Sequence, residues 1–175
     1  MRYPIYLTGF MGSGKSTFGR LLARELNCRF VDLDKFIEEQ EKMSISEIFS
    51  KYGEERFREI ERLTVHKSTN LGKAVIATGG GVPCHFDNME VMNKNGMTIY
   101  LKVSAPALTE RLMPARAHRP LIAGKSKEEL LEFIIHSLEQ RAPWYEKSSL
   151  TADTTGLSPQ ASVRLVLEAL RLKHS

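Results

Sequence analysis

The chain has 175 residues, 42% of them hydrophobic and 26% charged, a balance that fits one globular domain spanning 1–175 and argues against disorder. No apolar run approaches the roughly 20 residues that cross a bilayer, and the apolar stretch from Pro4 to Gly9 is too short for a signal-peptide core, so a cytoplasmic protein with no membrane partner is expected. The formal charge of +4 comes from 25 basic and 21 acidic side chains that alternate along segments such as Glu54-Glu55-Arg56-Phe57-Arg58-Glu59, a mixed surface that suits small anionic ligands better than a nucleic acid.

The first element is a strand at Ile5-Tyr6-Leu7-Thr8. It runs directly into Gly9-Phe10-Met11-Gly12-Ser13-Gly14-Lys15-Ser16, a complete G-x-x-x-x-G-K-[ST] motif, followed by a helix with Phe18, Leu21 and Leu22 on one face. Glycines let such a loop turn its backbone N–H groups inward, and the helix adds its positive N-terminal end, which together make an anion nest. Lys15 is expected at the β- and γ-phosphates of a nucleotide and Ser16 at Mg²⁺. A chance match in a chain of average composition is on the order of 1 in 100 before the strand–helix context is counted, so the functional reading wins.

A second strand, Phe30-Val31-Asp32, ends on Asp32 and Asp34. On an extended segment two side chains two apart face the same way, so both carboxylates are expected at the sheet's carboxyl edge beside the glycine loop. One would hold the metal's water shell and the other would accept a proton or hydrogen bond from a hydroxyl; a strand-end turn with a helix N-cap is the plain alternative. Phe57, Ile60 and Thr64 then have core-facing helical spacing, while Arg58 and Glu61, three apart, are able to meet on a solvated helix surface. A third strand, Ala74-Val75-Ile76-Ala77, leads into Thr78-Gly79-Gly80-Gly81-Val82, where three glycines allow backbone to approach a ligand. Asn93-Lys94-Asn95-Gly96 is the nearest approach to a guanine-binding Asn-Lys-x-Asp; it lacks the aspartate and precedes a strand, so it is expected to be a turn, and the regulatory-GTPase reading is weak.

Thr98-Ile99-Tyr100-Leu101 and Leu150-Thr151-Ala152 are the remaining strands. Between them Ser126 and Glu129 form a capping box for a helix whose inner face is predicted as Leu130, Leu131, Ile134, Ile135 and Leu138. Ser158-Pro159 opens a last helix with Val163, Val166, Leu167 and Leu170 inward. Cys28 and Cys84 match no metal or redox spacing and are expected to be reduced. Apolar runs alternating with helices in this way predict a three-layer α/β domain with a parallel sheet and right-handed crossovers.

Taken together, the glycine loop, Val31-Asp32-Leu33-Asp34, Phe57-Arg58-Glu59-Ile60-Glu61, Thr78-Gly79-Gly80-Gly81, Arg119-Pro120-Leu121 and Arg141-Ala142-Pro143-Trp144-Tyr145 resemble shikimate kinases in order and spacing, nearly end to end. The resemblance implies a P-loop kinase fold like that of nucleoside monophosphate kinases, with a five-stranded parallel sheet flanked by helices, a substrate-binding helical region at about 33–62 and a mobile lid at about 112–125. It implies transfer of the ATP γ-phosphate to the 3-hydroxyl of shikimate, on the route to chorismate and the aromatic amino acids, by a monomer that binds neither nucleic acid nor membrane. It further implies that Gly12, Ser13, Gly14, Lys15, Ser16, Thr17, Arg111 and Arg119 bind ATP and that Ser16 and Asp32 hold Mg²⁺. Lys15, Asp34 and Arg119 would be the catalytic groups. Asp34, Arg58, Arg141, Gly79, Gly80 and Gly81 would bind shikimate, with Phe49 and Phe57 lining its ring and Glu61 holding the arginines. The chain departs from relatives in a glycine-poor lid, Leu112 to His118, and in Thr155-Gly156, where relatives often carry a basic adenine contact. Rival readings are a kinase of another hydroxylated acid such as gluconate, and a nucleotide switch or nucleic-acid-binding protein.

Overall fold

Ile5, Tyr6 and Leu7 have no exposed surface, and neither do Val75, Ile76 and Ile99, because each short apolar run is covered on both faces. The computed structural model, which describes residues 3–118 and 120–172, assembles these runs into one five-stranded parallel sheet in the order β2-β3-β1-β4-β5. The strands are β1 (Ile5–Thr8), β2 (Arg29–Asp32), β3 (Ala74–Ala77), β4 (Met97–Lys102) and β5 (Leu150–Asp153). Leu7 of the central strand pairs with Ala77 on one side and Ile99 on the other. Strands 2 and 3 lie to one side of β1 and strands 4 and 5 to the other, so the chain reverses direction across the sheet at the carboxyl end of β1. That is where an open α/β sheet leaves a crevice for ligand.

The period-two alternation of β1 divides the core. Ile5 and Leu7 face α1 (Lys15–Glu25) and α7 (Pro159–Leu172), meeting Phe18, Leu22, Val163 and Val166. Tyr6 and Ile76 face the opposite layer of α2 (Leu33–Glu41), α3 (Ile45–Ser68) and α4 (Asn88–Asn95), where Leu33, Val65, Met89 and Met92 meet them. A third cluster joins Phe10 to α5 (Ala105–Leu112), α6 (Lys127–Tyr145) and Ile122. Each large aliphatic side chain buried this way contributes on the order of 1.5–3 kcal/mol. Residues Met113–His118 and Pro120–Ile122 form short 3₁₀ turns between α5 and α6.

The predicted capping box of Ser126 and Glu129 is present, and Ser44 and Glu47 form a second one at the start of α3. Helix α3 is broken at Gly53, whose φ of 79° and ψ of 175° lie outside the helical region. Three local readings change. Asp34 is not on an extended segment: β2 stops at Asp32 and Asp34 sits in the first turn of α2. Ile135 is 43% exposed, because the buried face of α6 runs through Leu130, Ile134, Ser137 and Tyr145, and about 100° per residue turns position 135 away from it. Asn93-Lys94-Asn95 completes α4 and is not a turn. β2 is only partly buried because it is an edge strand, paired with β3 alone.

Candidate active site

Gly12 and Gly14 take positive φ values of 79° and 90°, which wind the glycine loop into a concave turn that a residue with a Cβ adopts only with strain. Gly14 is the N-cap of α1 and offers no side chain, so the first-turn amides of that helix keep their hydrogen-bonding capacity for a ligand. Lys15 folds back, its Nζ donating to the carbonyls of Gly9 (2.7 Å) and Phe10 (3.0 Å). The Ser16 hydroxyl donates to Asp32 Oδ2 at 2.8 Å, which brings the end of β2 onto the start of α1. Lys15, Ser16, Thr17, Asp32 and Asp34 all line one cavity of about 350 Å³, together with Gly79 and Gly80. The two aspartates thus converge as expected, although by a strand end and a helix turn in place of one extended segment. Asp32 occupies the N-cap of α2 without making the capping bond and gives its oxygen to Ser16 instead.

A second cavity of about 430 Å³ opens next to the first and shares Met11, Asp34, Gly79 and Gly80 with it. Phe49, Phe57, Arg58, Glu61, Gly81 and Arg141 line it. Phe49 and Phe57 lie on either side of the α3 break with their ring centroids 4.5 Å apart. Arg58 is not a solvated surface charge: its side chain is 16% exposed, and Nη1 pairs at 2.7 Å with Glu61 Oε2, which is 2% exposed. Glu54 holds the other side of the guanidinium, accepting from Nη2 at 2.9 Å and Nε at 3.2 Å. Arg141 stacks 5.4 Å above the Phe10 ring.

The three glycines serve space here, not unusual backbone angles. A methyl group at Gly79 would sit 2.9 Å from Asp34 Oδ1 and 3.2 Å from Glu61 Oε1, and one at Gly81 would sit 2.7 Å from Arg58 Nη1. A methyl at Gly80 would face Arg141 Nη1 at 3.7 Å. Side chains from α2 and α3 therefore crowd against Gly79 and Gly81, while a methyl at Gly80 would make only ordinary contacts.

The electrostatics reflect this crowding. Burial pushes the Asp34 carboxyl above the usual carboxylate range, and the nearby Asp32 charge adds to it, while Lys15 and Arg58 oppose. Burial pushes Glu61 up to about 7 against the pull of Arg58. Burial disfavours the charge of Arg58, but its bonds to Glu61 and Glu54 outweigh that and hold the guanidinium charged.

A third cavity of about 260 Å³ lies on the far side of the glycine loop, bounded by Gly12, Ser13, Gly14, Thr17 and Arg111 on one side and Thr154, Leu157 and Pro159 on the other. Arg111 Nη1 reaches the Gly12 carbonyl at 3.4 Å, and the Ser13 hydroxyl oxygen is buried without a hydrogen-bond partner among the described residues. Thr155 turns away, accepting from the Ser104 amide. Arg119 lies outside the described residues. Reasoning from sequence misses Glu54, the β5–α7 wall and Met11. Only Glu54 leaves a signal there, through its i,i+4 spacing to Arg58.

A phosphate cradle that opens straight into a second cavity walled by arginines is the layout of a P-loop kinase acting on a small anionic acceptor. Comparison with known proteins narrows this class. The chain belongs to the shikimate kinase family, whose model matches residues 11–171. The shikimate kinase of Bacteroides fragilis is 44% identical over 167 residues, covering 95% of this chain and 93% of its own length. The crystal structure of shikimate kinase from Bacteroides thetaiotaomicron superposes with a TM-score of 0.91 at 41% identity, covering 98% of this chain and 99% of that one. Shikimate kinase from Acinetobacter baumannii in complex with shikimate gives 0.87 at 31% identity, covering 98% and 94%. The five-stranded parallel fold and the family expected from the sequence are both borne out.

Proposed function

We propose that this chain transfers the γ-phosphate of ATP to the 3-hydroxyl of shikimate, giving shikimate 3-phosphate and ADP, a step toward chorismate and the aromatic amino acids. The observation that carries this reading is the junction of the two cavities: Asp34 and the glycine turn border both, with the phosphate cradle on one side and Arg58 and Arg141 on the other. An acceptor carboxylate held by two guanidinium groups would place the rest of a small ring between Asp34 and the phenylalanine wall.

Lys15 and the first-turn amides of α1 bind the β- and γ-phosphates, exchanging the Gly9 and Phe10 carbonyls for phosphate oxygens. Arg111 and the β5–α7 wall receive the nucleoside end. Ser16 and Asp32 supply a hydroxyl and a carboxylate oxygen in contact with each other, a small hard-donor set of the kind that holds Mg²⁺ together with nucleotide phosphates and water. When bound, Mg²⁺ neutralises phosphate charge and fixes the geometry of the triphosphate. Asp34 accepts the hydroxyl proton as the oxygen forms its bond to phosphorus, and the electron pair of the breaking bond leaves with ADP. Its raised pKa makes Asp34 a better proton acceptor than an exposed carboxylate. Glu61 orients Arg58, and Phe49 and Phe57 exclude water from the ring's apolar face.

ADP release is measured with shikimate, with gluconate, and with neither. Release that requires both shikimate and Mg²⁺ is the expected result; equal rates with and without shikimate, or a preference for gluconate, would sink the assignment.

Residues about 112–125 act as the lid. Leu121 is 64% exposed yet lines the acceptor cavity, while the adjacent Ile122 is fully buried against the α5–α6 core, so one residue anchors the segment and its neighbour is left to close. Amide exchange over this segment is expected to slow when ATP analogue and shikimate are both bound. Identical exchange in the free and bound protein would contradict a gating role.

A further inference from the structure

Tyr145 closes α6 with its side chain fully buried, its ring 5.0 Å from that of Tyr100 and its hydroxyl donating to the Gly80 carbonyl at 2.6 Å. That bond joins residues 65 apart in the chain. The neighbouring carbonyls of the turn are also taken: Gly79 accepts from the Val82 amide at 3.2 Å, Gly81 from the Cys84 amide at 2.9 Å, and Val82 from Asn88 Nδ2 at 2.9 Å. In a trans peptide the carbonyl and the following N–H point in opposite directions. A Gly80 carbonyl held toward Tyr145 therefore aims the Gly81 N–H away from α6. Gly80 and Gly81 border the acceptor cavity, as does Arg141, one turn earlier on the same helix. One phenol thus fixes the glycine turn to the helix that carries an acceptor arginine.

We propose that Tyr145 is a positioning residue for the acceptor: its hydroxyl sets the rotation of the Gly80–Gly81 peptide and locks that peptide in register with Arg141. The proposal rests on the assignment of this cavity to shikimate. Removing the hydroxyl takes the tyrosine partner from a part-buried carbonyl and frees the peptide to rotate. Gly81, whose N–H this peptide aims, lines the acceptor cavity and not the phosphate cavity, so acceptor binding suffers more than nucleotide binding, whose main contacts come from Gly12 to Thr17.

The test compares Tyr145→Phe with Tyr6→Phe. Tyr6 is equally buried, and its hydroxyl bonds Ser68 at 3.1 Å in the core between β1 and α3, so the two changes delete the same atom from comparable surroundings. Tyr145→Phe is expected to raise the shikimate KM, and the shikimate dissociation constant measured by calorimetry, about tenfold, the factor that corresponds to 1.4 kcal/mol. Its ATP KM should stay within about twofold of wild type, and Tyr6→Phe should change neither constant. A shikimate KM within twofold of wild type, or ATP and shikimate constants rising together, overturns the positioning role. Should Tyr145→Phe not fold, 4-aminophenylalanine at position 145, which keeps an N–H donor, is expected to retain the wild-type shikimate KM, and a tenfold rise there overturns the proposal equally. Wild type that fails to phosphorylate shikimate at all removes the functional assignment instead, so the two failures are distinct.

Discussion

The two cavities that meet at Asp34 are built in opposite ways. The phosphate side is made mainly from one continuous segment, Gly9 to Thr17, with Asp32, Asp34 and the end of β3 closing it, and its cradle is largely backbone: glycine angles, a helix start and a lysine six residues from the carbonyl it touches. The acceptor side is made mostly from side chains delivered by α2, both halves of α3 and the end of α6, packed around the glycine turn after β3, and its lining runs from Met11 to Arg141. A backbone cradle binds any nucleoside triphosphate with little regard to the group that will receive the phosphate. A convergent cavity whose ionised groups hold one another in place recognises a shape. Substrate choice therefore resides in the acceptor half, and mutations there should alter selectivity before they alter nucleotide use.

The sharpest way to break this division is at the shared wall. Asp34→Asn keeps the shape and removes the proton acceptor, so kcat is expected to fall about 10²–10⁴-fold with ATP binding nearly intact. Lys15→Ala, by contrast, should cost about 10²–10³-fold in turnover through loss of charge stabilisation on the transferring group, with shikimate binding little changed. Steady-state kinetics paired with calorimetric titration of each ligand separates the two; an Asp34→Asn enzyme with wild-type turnover would remove that residue from the chemistry.

Next in size are Arg58→Lys and Arg141→Lys. Lysine keeps the charge and loses the planar fork, so each is expected to raise the shikimate KM about tenfold and to leave the ATP KM unmoved. On the proposed assignment both act on one anion, so the double variant should fall short of the product of the two effects. Additive effects, or a matching rise in the ATP KM, would mean that the two guanidinium groups do not share a ligand.

The smallest effect is a pH dependence confined to the acceptor half. Glu61 is held up to about 7 by burial, above its ordinary value near 4.5. The stability tied to its protonated form is fully present below about pH 4.5 and is lost as pH rises through about 7, when a buried carboxylate must be carried with Arg58 to offset it. Thermal melts of wild type should therefore lose ground to Glu61→Gln between about pH 5 and pH 8. Over the same interval the wild-type shikimate KM should fall a few-fold, because the ionised carboxylate is what holds Arg58, and Glu61→Gln should flatten that trend. A pH profile identical in the two proteins would detach Glu61 from the recognition of the acceptor.

Legibility in the sequence divides along the same line. The three inner strands are visible because each is a short apolar run buried on both faces, and the glycine loop is visible because its motif lies within about eight residues. Of the acceptor residues, Asp34 and the glycine turn are legible at strand ends, whereas the arginines and aromatics enter through the resemblance: nothing in the spacing of Arg58 and Glu61 distinguishes a buried ion pair from a solvated one. The convergence of Asp32 with Asp34 is real but has a different cause from the one expected, since α2 begins one residue after Asp32 and brings Asp34 round by a helical turn. Ile135 is misplaced by sequence reasoning because helical period leaves the phase of a stripe free, and the phase of α6 turns Leu130, Ile134, Ser137 and Tyr145 inward.

A methyl group built at Gly53 would meet no atom within 4 Å beyond its chain neighbours and the adjacent helix backbone. An inspection by contacts would pass it as freely replaceable. Yet its backbone lies in a region that is almost exclusive to glycine, where any other residue costs about 1–3 kcal/mol of strain. The break it permits is what lets Phe49 and Phe57 close on each other from two helix segments. A larger residue at this position would relieve its strain most cheaply by straightening α3, and the loss would surface some residues away, as a wider and wetter slot for the acceptor ring. The fit of the cavity is thus governed in part by a residue that reaches it through backbone angles alone.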